Sequence, residues 1–223
     1  MTDVVIVGEG QTEETFVRDV LVGPFAAGGT YIDPRLIRTS DSGRGGALTP
    51  DRVLRYLRNT LRERSDTYVT TFFDLYALHP EFPGQREAAS IRDPVLRSEM
   101  IERHFAQKVV SLAGCREDRF FAHIQPYEFE ALLFSKPEAL IDAEPQWRPW
   151  LESLREIRAA FPTPEHINHQ ESPANRLKNL LVPRYRKVLH GPGVAGTIGL
   201  ARIGAECRHF GQWVKRIEAL LPL

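Results

Sequence analysis

An α/β fold built on a mostly parallel, four-stranded sheet is predicted by three features of this sequence. Short β-branched or aromatic runs alternate with segments of helical period over the first 134 residues, the pattern of strands joined by crossover helices. Two of those runs stop at an acid, Glu9 one glycine after its run and Asp74 directly at the end of its own. Beyond Phe134 the strand signal is lost, and prolines 137, 145, 149, 162, 164 and 173 divide short amphipathic pieces before two helical stretches close the chain. The organisation this predicts is an α/β domain over 1–135 and a mainly helical region over 136–223 packed on it.

The first strand is Val4-Val5-Ile6-Val7, a β-branched run of the kind that fills a buried strand. Gly8-Glu9-Gly10 turns the chain, and Thr12-Glu13-Glu14 opens a helix with apolar positions at Phe16, Val17, Val20 and Leu21. Glu9 therefore stands at the C-terminal end of a strand, where open α/β sheets bind their ligands, and a carboxylate there suggests a metal ion. A plain tight turn, with Thr12 as N-cap and Glu13 and Glu14 answering the helix dipole, accounts for Thr12 and one of the glutamates but not for Glu9. A dinucleotide fingerprint is rejected, because the third glycine position holds Glu13 and three carboxylates would face the pyrophosphate.

Tyr31 to Thr39 is the second strand, confined to an edge or a bulge by Pro34. Ser40 to Ala47 is a Gly-rich connection in which Arg44 could reach a phosphate. Thr49-Pro50-Asp51 starts a helix whose Val53, Leu54, Leu57 and Leu61 recur at helical spacing, with arginines on its solvated faces. Tyr68 to Asp74 is the third strand. Leu75 to Ser90 follows without periodicity, and loops this long inside compact domains are often functional. Asp93-Pro94 starts the next helix, and Arg119 to Gln125 reads as the fourth strand. Glu128 and Glu130 come directly after it. Extended, they point to one side and suit a paired metal site; if a helix has already begun, Glu130 turns away. Helices are predicted at 175–181 and 201–221, with His190-Gly191-Pro192-Gly193 as a turn.

Composition narrows the class. At 42% apolar and 26% charged, the chain is a folded globular protein, long enough for a full core. Basic and acidic residues balance at 29 each, but the first 130 residues carry 20 acids against 16 bases and the remainder 9 against 13. An acidic half with a basic tail suits a metal site that handles a polyanion. No apolar run approaches the roughly 18 residues of a membrane span. The N-terminus enters a strand without signal-peptide features, and two cysteines are too few for a disulfide scaffold. The expectation is a soluble, cytoplasmic protein without a membrane partner. Arg176, Lys178, Arg184, Tyr185, Arg186, Lys187 and His190 form a basic stretch without acids and with one interleaved aromatic, able to meet phosphates and stack a base, or to serve as a solvated face. Cys207-Arg208-His209 lacks the partners of a zinc site and is assigned to packing.

Glu9-Gly10-Gln11-Thr12-Glu13, with Asp74 ending a later strand, resembles the Toprim domains of overcoming-lysogenization-defect nucleases, topoisomerases and primases. With FFDLY, YEFEALLF, HGPGVAGTIGL and CRHFGQWVKRIEAL, nearly the whole chain is similar to a bacterial Toprim-like family catalogued as domain of unknown function 4276. The resemblance implies a Toprim-like (Rossmannoid) fold and a metal-dependent nuclease in anti-phage or mobile-element settings, sometimes beside an ATPase. Many Toprim domains end the third strand with Asp-x-Asp; here the triplet is Asp74-Leu75-Tyr76, so Glu128 or Glu130 would have to replace the second acid. Mg²⁺ or Mn²⁺ would take oxygen ligands from Glu9, Asp74 and Glu128, with Glu13 and Glu130 available for a second ion. Glu9, Asp74 and Glu128 are the catalytic candidates, and the resemblance suggests general acid or base for Glu9. A non-catalytic nucleic-acid-binding or effector subunit working with a partner ATPase, and a phosphotransfer enzyme acting on small phosphates, are the competing readings.

Overall fold

The computed structural model describes residues 1–37, 49–168 and 171–223. Strands β1 (Thr2–Gly8), β2 (Thr30–Leu36), β3 (Thr67–Asp74) and β4 (Phe120–Phe121) form a parallel sheet in the order β2-β1-β3-β4, and β5 (Ile124–Gln125) also pairs with β3. This is the α/β, parallel-sheet architecture expected, with β2 at the edge where Pro34 costs no ladder bond. The predicted fourth strand is broken in two at Ala122-His123, and the second strand ends at Leu36. The connection Ser40–Ala47, with Arg44, lies outside the described residues.

The period of two along a strand sorts side chains onto two faces. Val4 and Ile6 of β1 and Phe72 of β3 look into one apolar cluster; Val5, Val7, Val69 and Phe73 look into the other. Helices α3 (Pro50–Glu63) and α4 (Pro94–Ala113) cover the second face through Val53, Leu57, Leu61, Ile101, Phe105 and Val109. The first face is covered by α1 (Gln11–Phe16), which runs through a π turn at Val17–Leu21 into α2 (Val22–Ala27), and by helices from the C-terminal part. Those are α5 (Glu138–Ala143), α6 (Leu151–Ala159), α7 (Pro173–Leu180), α8 (Lys187–Ile198), α9 (Leu200–Glu206) and α10 (Arg208–Glu218). Their Leu140, Leu177, Val194, Phe210 and Ile217, with Trp147 from the 3₁₀ turn between α5 and α6, share one cluster with Val4, Phe16 and Phe129, so the chain on either side of residue 135 encloses a common core.

The helix predicted over 201–221 is broken into α9 and α10 at Cys207, and two further segments are set by packing. His190 to Gly193 is not a turn but part of α8, Pro192 included. Packing outweighs propensity here: a β-carbon at Gly191 would lie 2.9 Å from both the Phe129 ring and the Tyr185 hydroxyl, so this side of the helix sits directly on the core. The aperiodic stretch after β3 is held against α4. Leu75, Leu78 and Phe82 are buried, and Gly84, at φ +91°, brings its backbone so near α4 that a β-carbon would stand 2.7 Å from Ile101 Cα. Among the described residues no helix is long and apolar enough to cross a membrane.

Helices α9 and α10 meet glycine to glycine: a β-carbon on Gly211 would lie 2.4 Å from the Gly204 carbonyl oxygen, whereas one on Gly193 meets nothing within 4 Å. Gly211→Ala is therefore expected to destabilise the protein by about 1–3 kcal/mol. Gly193→Ala, on the exposed side of α8, is expected to stabilise it by about 0.5–1 kcal/mol. Urea melts of the two variants check both signs.

Candidate functional site

Sheet register sets the site. Gly8 at the end of β1 pairs with Phe72, and Asp74 at the end of β3 pairs with Gln125 of β5. Glu9 thus leaves the sheet beside Asp74, and the chain leaving β5 reaches Glu128 three residues after Gln125. The glycines around Glu9 serve by their lack of a side chain. A β-carbon on Gly8 would come within 3.2 Å of Glu13 Cβ, and one on Gly10 within 2.6 Å of Glu13 Oε2. The Glu13 carboxylate occupies that space and is buried, as is Thr12, so Thr12 is inside the helix and Gly10 stands at the N-cap position.

Tyr127 has φ +61°, a left-handed conformation unusual for a non-glycine residue, and it aims the next segment. Glu128 is still extended, and a 3₁₀ helix begins at Phe129, whose N–H donates to Asp74 Oδ1 at 2.8 Å. Neither simple alternative for Glu128 and Glu130 holds, because both carboxylates converge on one ammonium. Lys187 Nζ lies 2.9 Å from Glu130 Oε2 and 3.7 Å from Glu128 Oε1. The Tyr185 hydroxyl donates to Glu130 Oε1 at 3.4 Å, and the Ala174 N–H, in the first turn of α7, donates to Glu128 Oε2 at 3.0 Å.

The electrostatics follow from crowding like charges away from water. Burial, then the neighbouring Glu13, push Glu9 well above the usual carboxylate range, with a hydrogen bond from the Asp74 backbone as partial offset. Asp74 is raised well above its range by burial and by Glu13, Glu9 and Glu130. Glu13 is raised, chiefly by burial. Burial also raises Glu130, against the pull of Lys187. Burial alone would lower Lys187, but Glu130, Asp74 and Glu128 outweigh it and lift the amine above its ordinary value. Glu9 Oε2 is shielded from solvent and has no hydrogen-bond partner. An orphaned, solvent-shielded carboxylate oxygen in an all-oxygen donor set is a feature that a hard divalent cation would satisfy.

The basic stretch of the C-terminal part does not form one surface. Tyr185 is buried, so its ring is not free to stack on a base, and Lys187 turns inward to the carboxylates. Arg176 spends its guanidinium on the carbonyls of Glu171 and Asn168 and lies over the Phe161 ring. His190 Nδ1 accepts from the Arg186 N–H, and its ring packs on Trp147. Arg184 and Arg186 are exposed, and Lys178 is half-buried.

A second grouping was not visible in sequence. Among the described residues, Glu102, His123 and His209 bring their donor atoms within 4.8 Å of one another and could bind a metal. The sheet-edge carboxylates are spaced more widely, with the Lys187 ammonium set against two of them. His209, assigned to packing for want of partners, in fact has two: its Nε2 lies 2.8 Å from Glu102 Oε1, and His123 stacks on its ring. The three come from α4, the β4–β5 link and α10, so no short motif carries them.

Carboxylates whose native pKa values are raised bind more protons folded than unfolded, so stability falls as pH climbs from about 4 towards the raised values. Asp74→Asn removes one such group. In chelator it is expected to melt about 2–4 °C above the wild type at mildly alkaline pH, with the gap closing towards pH ~4. Thermal melts across pH check this; an Asn variant that melts lower at alkaline pH would contradict the electrostatic assignment.

The sequence profile of a family described as "Domain of unknown function (DUF4276)" matches residues 8–218. No curated protein is similar enough in sequence to count as a match. Two solved structures of the C-terminal region of the Xanthomonas campestris pv. campestris OLD protein are similar to the chain. The one phased with iodine aligns at 16% identity and TM-score 0.43 over 96% of this chain and 93% of that one. The one phased with mercury aligns at 17% identity and TM-score 0.38 over 95% and 96%. Since the profile spans all but the extreme ends of the sequence, the chain belongs to the DUF4276 family.

Proposed function

We propose that this protein is a metal-dependent nuclease that hydrolyses phosphodiester bonds at the carboxylate cluster. One observation carries the reading: Glu9 and Glu13 after the first strand and Asp74 at the end of the third meet at one edge of a parallel sheet, are raised in pKa by burial there, and include an oxygen with no partner. Such a site is costly to fold and is accounted for by a ligand of positive charge. The Toprim resemblance points the same way.

Glu9 and Asp74, with Glu13 or Glu128, would hold Mg²⁺ or Mn²⁺, whose contribution when bound is Lewis-acid stabilisation of charge on the phosphodiester oxygens. The protein's own groups do the rest. Glu9, whose pKa burial and Glu13 raise, would, as an alternative to holding the metal, serve as general acid or base. Lys187 holds a fixed positive charge beside the cluster, where negative charge on a phosphate builds up during displacement. Tyr185 and Lys187 together fix the Glu130 carboxylate. A second reading, a nucleic-acid-binding or effector subunit working with an ATPase, is favoured by Tyr76 in place of a second acid and by an ammonium already neutralising part of the cluster.

Purified protein is incubated with labelled single- and double-stranded DNA and RNA in Mg²⁺, Mn²⁺ or chelator, beside Glu9→Gln and Asp74→Asn. Cleavage that needs the metal and falls about a hundredfold or more in either variant is expected. Equal cleavage by all three proteins would mean a contaminant and would end the proposal.

A further inference from the structure

The stretch after β3 builds a cavity that the carboxylate chemistry leaves unused. Its volume is about 480 Å³, within the range of small-molecule sites. Tyr76 and Tyr127 form its aromatic walls, with ring centroids 5.2 Å apart at 45°. Arg86, Arg92 and Arg97 line it, and no Asp or Glu does. Asp93, next to it in sequence, turns away to cap α4 through the Leu96 N–H and to meet His166. Arg97 donates to Gln85 at 3.1 Å, while its Nε is shielded from solvent with no hydrogen-bond partner. A guanidinium with an unspent, shielded donor in a lining whose only charged groups are arginines fits an anion.

The cavity adjoins the carboxylates through the backbone. Tyr76 is two residues past Asp74, Tyr127 directly precedes Glu128, and the Tyr76 N–H donates to the Tyr127 carbonyl at 3.2 Å. Tyr127 is also the residue at positive φ, a strained conformation of the kind that gathers at ligand sites. Tyr76 is 49% exposed, and such a ring adds little to the core. The wall behind it is rigid, because Leu75, Leu78 and Phe82 are buried and Gly84 locks the segment to α4. An aromatic ring open to solvent beside cations meets both parts of a nucleotide: base on ring, phosphate on guanidinium.

We infer that this cavity is a subsite for one nucleotide of an unpaired nucleic-acid strand, its base stacked on Tyr76 and Tyr127 and its phosphate held by Arg86, Arg92 and Arg97. The inference deepens the nuclease reading and rests on it only for the direction of the strand, which runs from the cavity into the carboxylates. A stacked base must be out of its duplex, so the substrate is single-stranded at this point.

Fluorescence anisotropy of a labelled oligothymidylate of about 12 nucleotides tests it, with Ca²⁺ present and the same sequence as a duplex alongside. Tyr76→Ala is expected to weaken single-strand binding about tenfold or more, with Tyr76→Phe within about twofold of wild type. The double variant Arg86→Gln, Arg92→Gln is expected to flatten the salt dependence of log Kd by about 1.4. Tyr76→Ala binding like wild type, Tyr76→Phe losing as much as Tyr76→Ala, an unchanged salt slope, or no single-strand binding at all would each overturn the subsite. Cleavage assays on the same proteins separate the two ideas. Metal-dependent cleavage untouched by Tyr76→Ala would overturn the subsite alone. Binding lost in Tyr76→Ala, without cleavage by any form, would uphold the subsite and overturn the nuclease.

Discussion

Like charges forced together away from water are the constraint on which this structure turns. Glu9, Glu13, Asp74 and Glu130 are gathered at one sheet edge where burial raises the pKa of each. Folding meets that cost in two ways. Backbone donors answer some of the oxygens: Phe129 N–H for Asp74 and Ala174 N–H for Glu128. Lys187 answers others with a full positive charge. What remains unanswered is above all the unpartnered oxygen of Glu9.

This constraint explains why the C-terminal helices are integral to the site. Helix α8 begins with Lys187, packs through Gly191 against Phe129 and Tyr185, and so lies across the mouth of the sheet next to α1. Helix α7 presents the Ala174 N–H to Glu128 from its first turn. Without Lys187 at the start of α8 and Tyr185 just before it, Glu130 would be a buried charge with neither ammonium nor phenol beside it. The arginine-rich look of the segment around residue 184 hid this, since its one inward cation serves a structural and electrostatic role while its neighbours stay in solvent.

The sheet was legible because burial on both faces writes itself into a sequence as unbroken β-branched and aromatic runs. Val4–Val7 and Tyr68–Phe73 could be nothing else, and Pro34 placed its strand at an edge. Glu9 and Asp74 were legible for the same reason, as acids standing where such runs stop. Tertiary relations were not. Pro192 inside α8, the inward turn of Lys187 and the approach of Glu102 to His123 and His209 all depend on packing between residues far apart in the chain. Within the basic stretch, charge along the sequence does not reveal which face a side chain takes: Tyr185 lies in the core with Lys187 two residues on beside it at the cluster, while Arg184 and Arg186 are exposed.

Tyr76 brings these strands of argument together. Where many Toprim domains place a second acid, this chain has a phenol, and the local structure makes sense of the exchange. Leu75 is drawn into the core under α4 and a 3₁₀ turn begins there, so the side chain at position 76 faces the cavity beside the cluster and not its interior. A carboxylate at that position would stand among Arg86, Arg92 and Arg97 and would cancel the positive lining instead of adding to the donors around Asp74. Glu13 and Glu130 already crowd Asp74 from other directions. Position 76 thus belongs to the wall of a neighbouring pocket whose charged groups are arginines, and carboxylates and guanidiniums lie close together along one sheet edge.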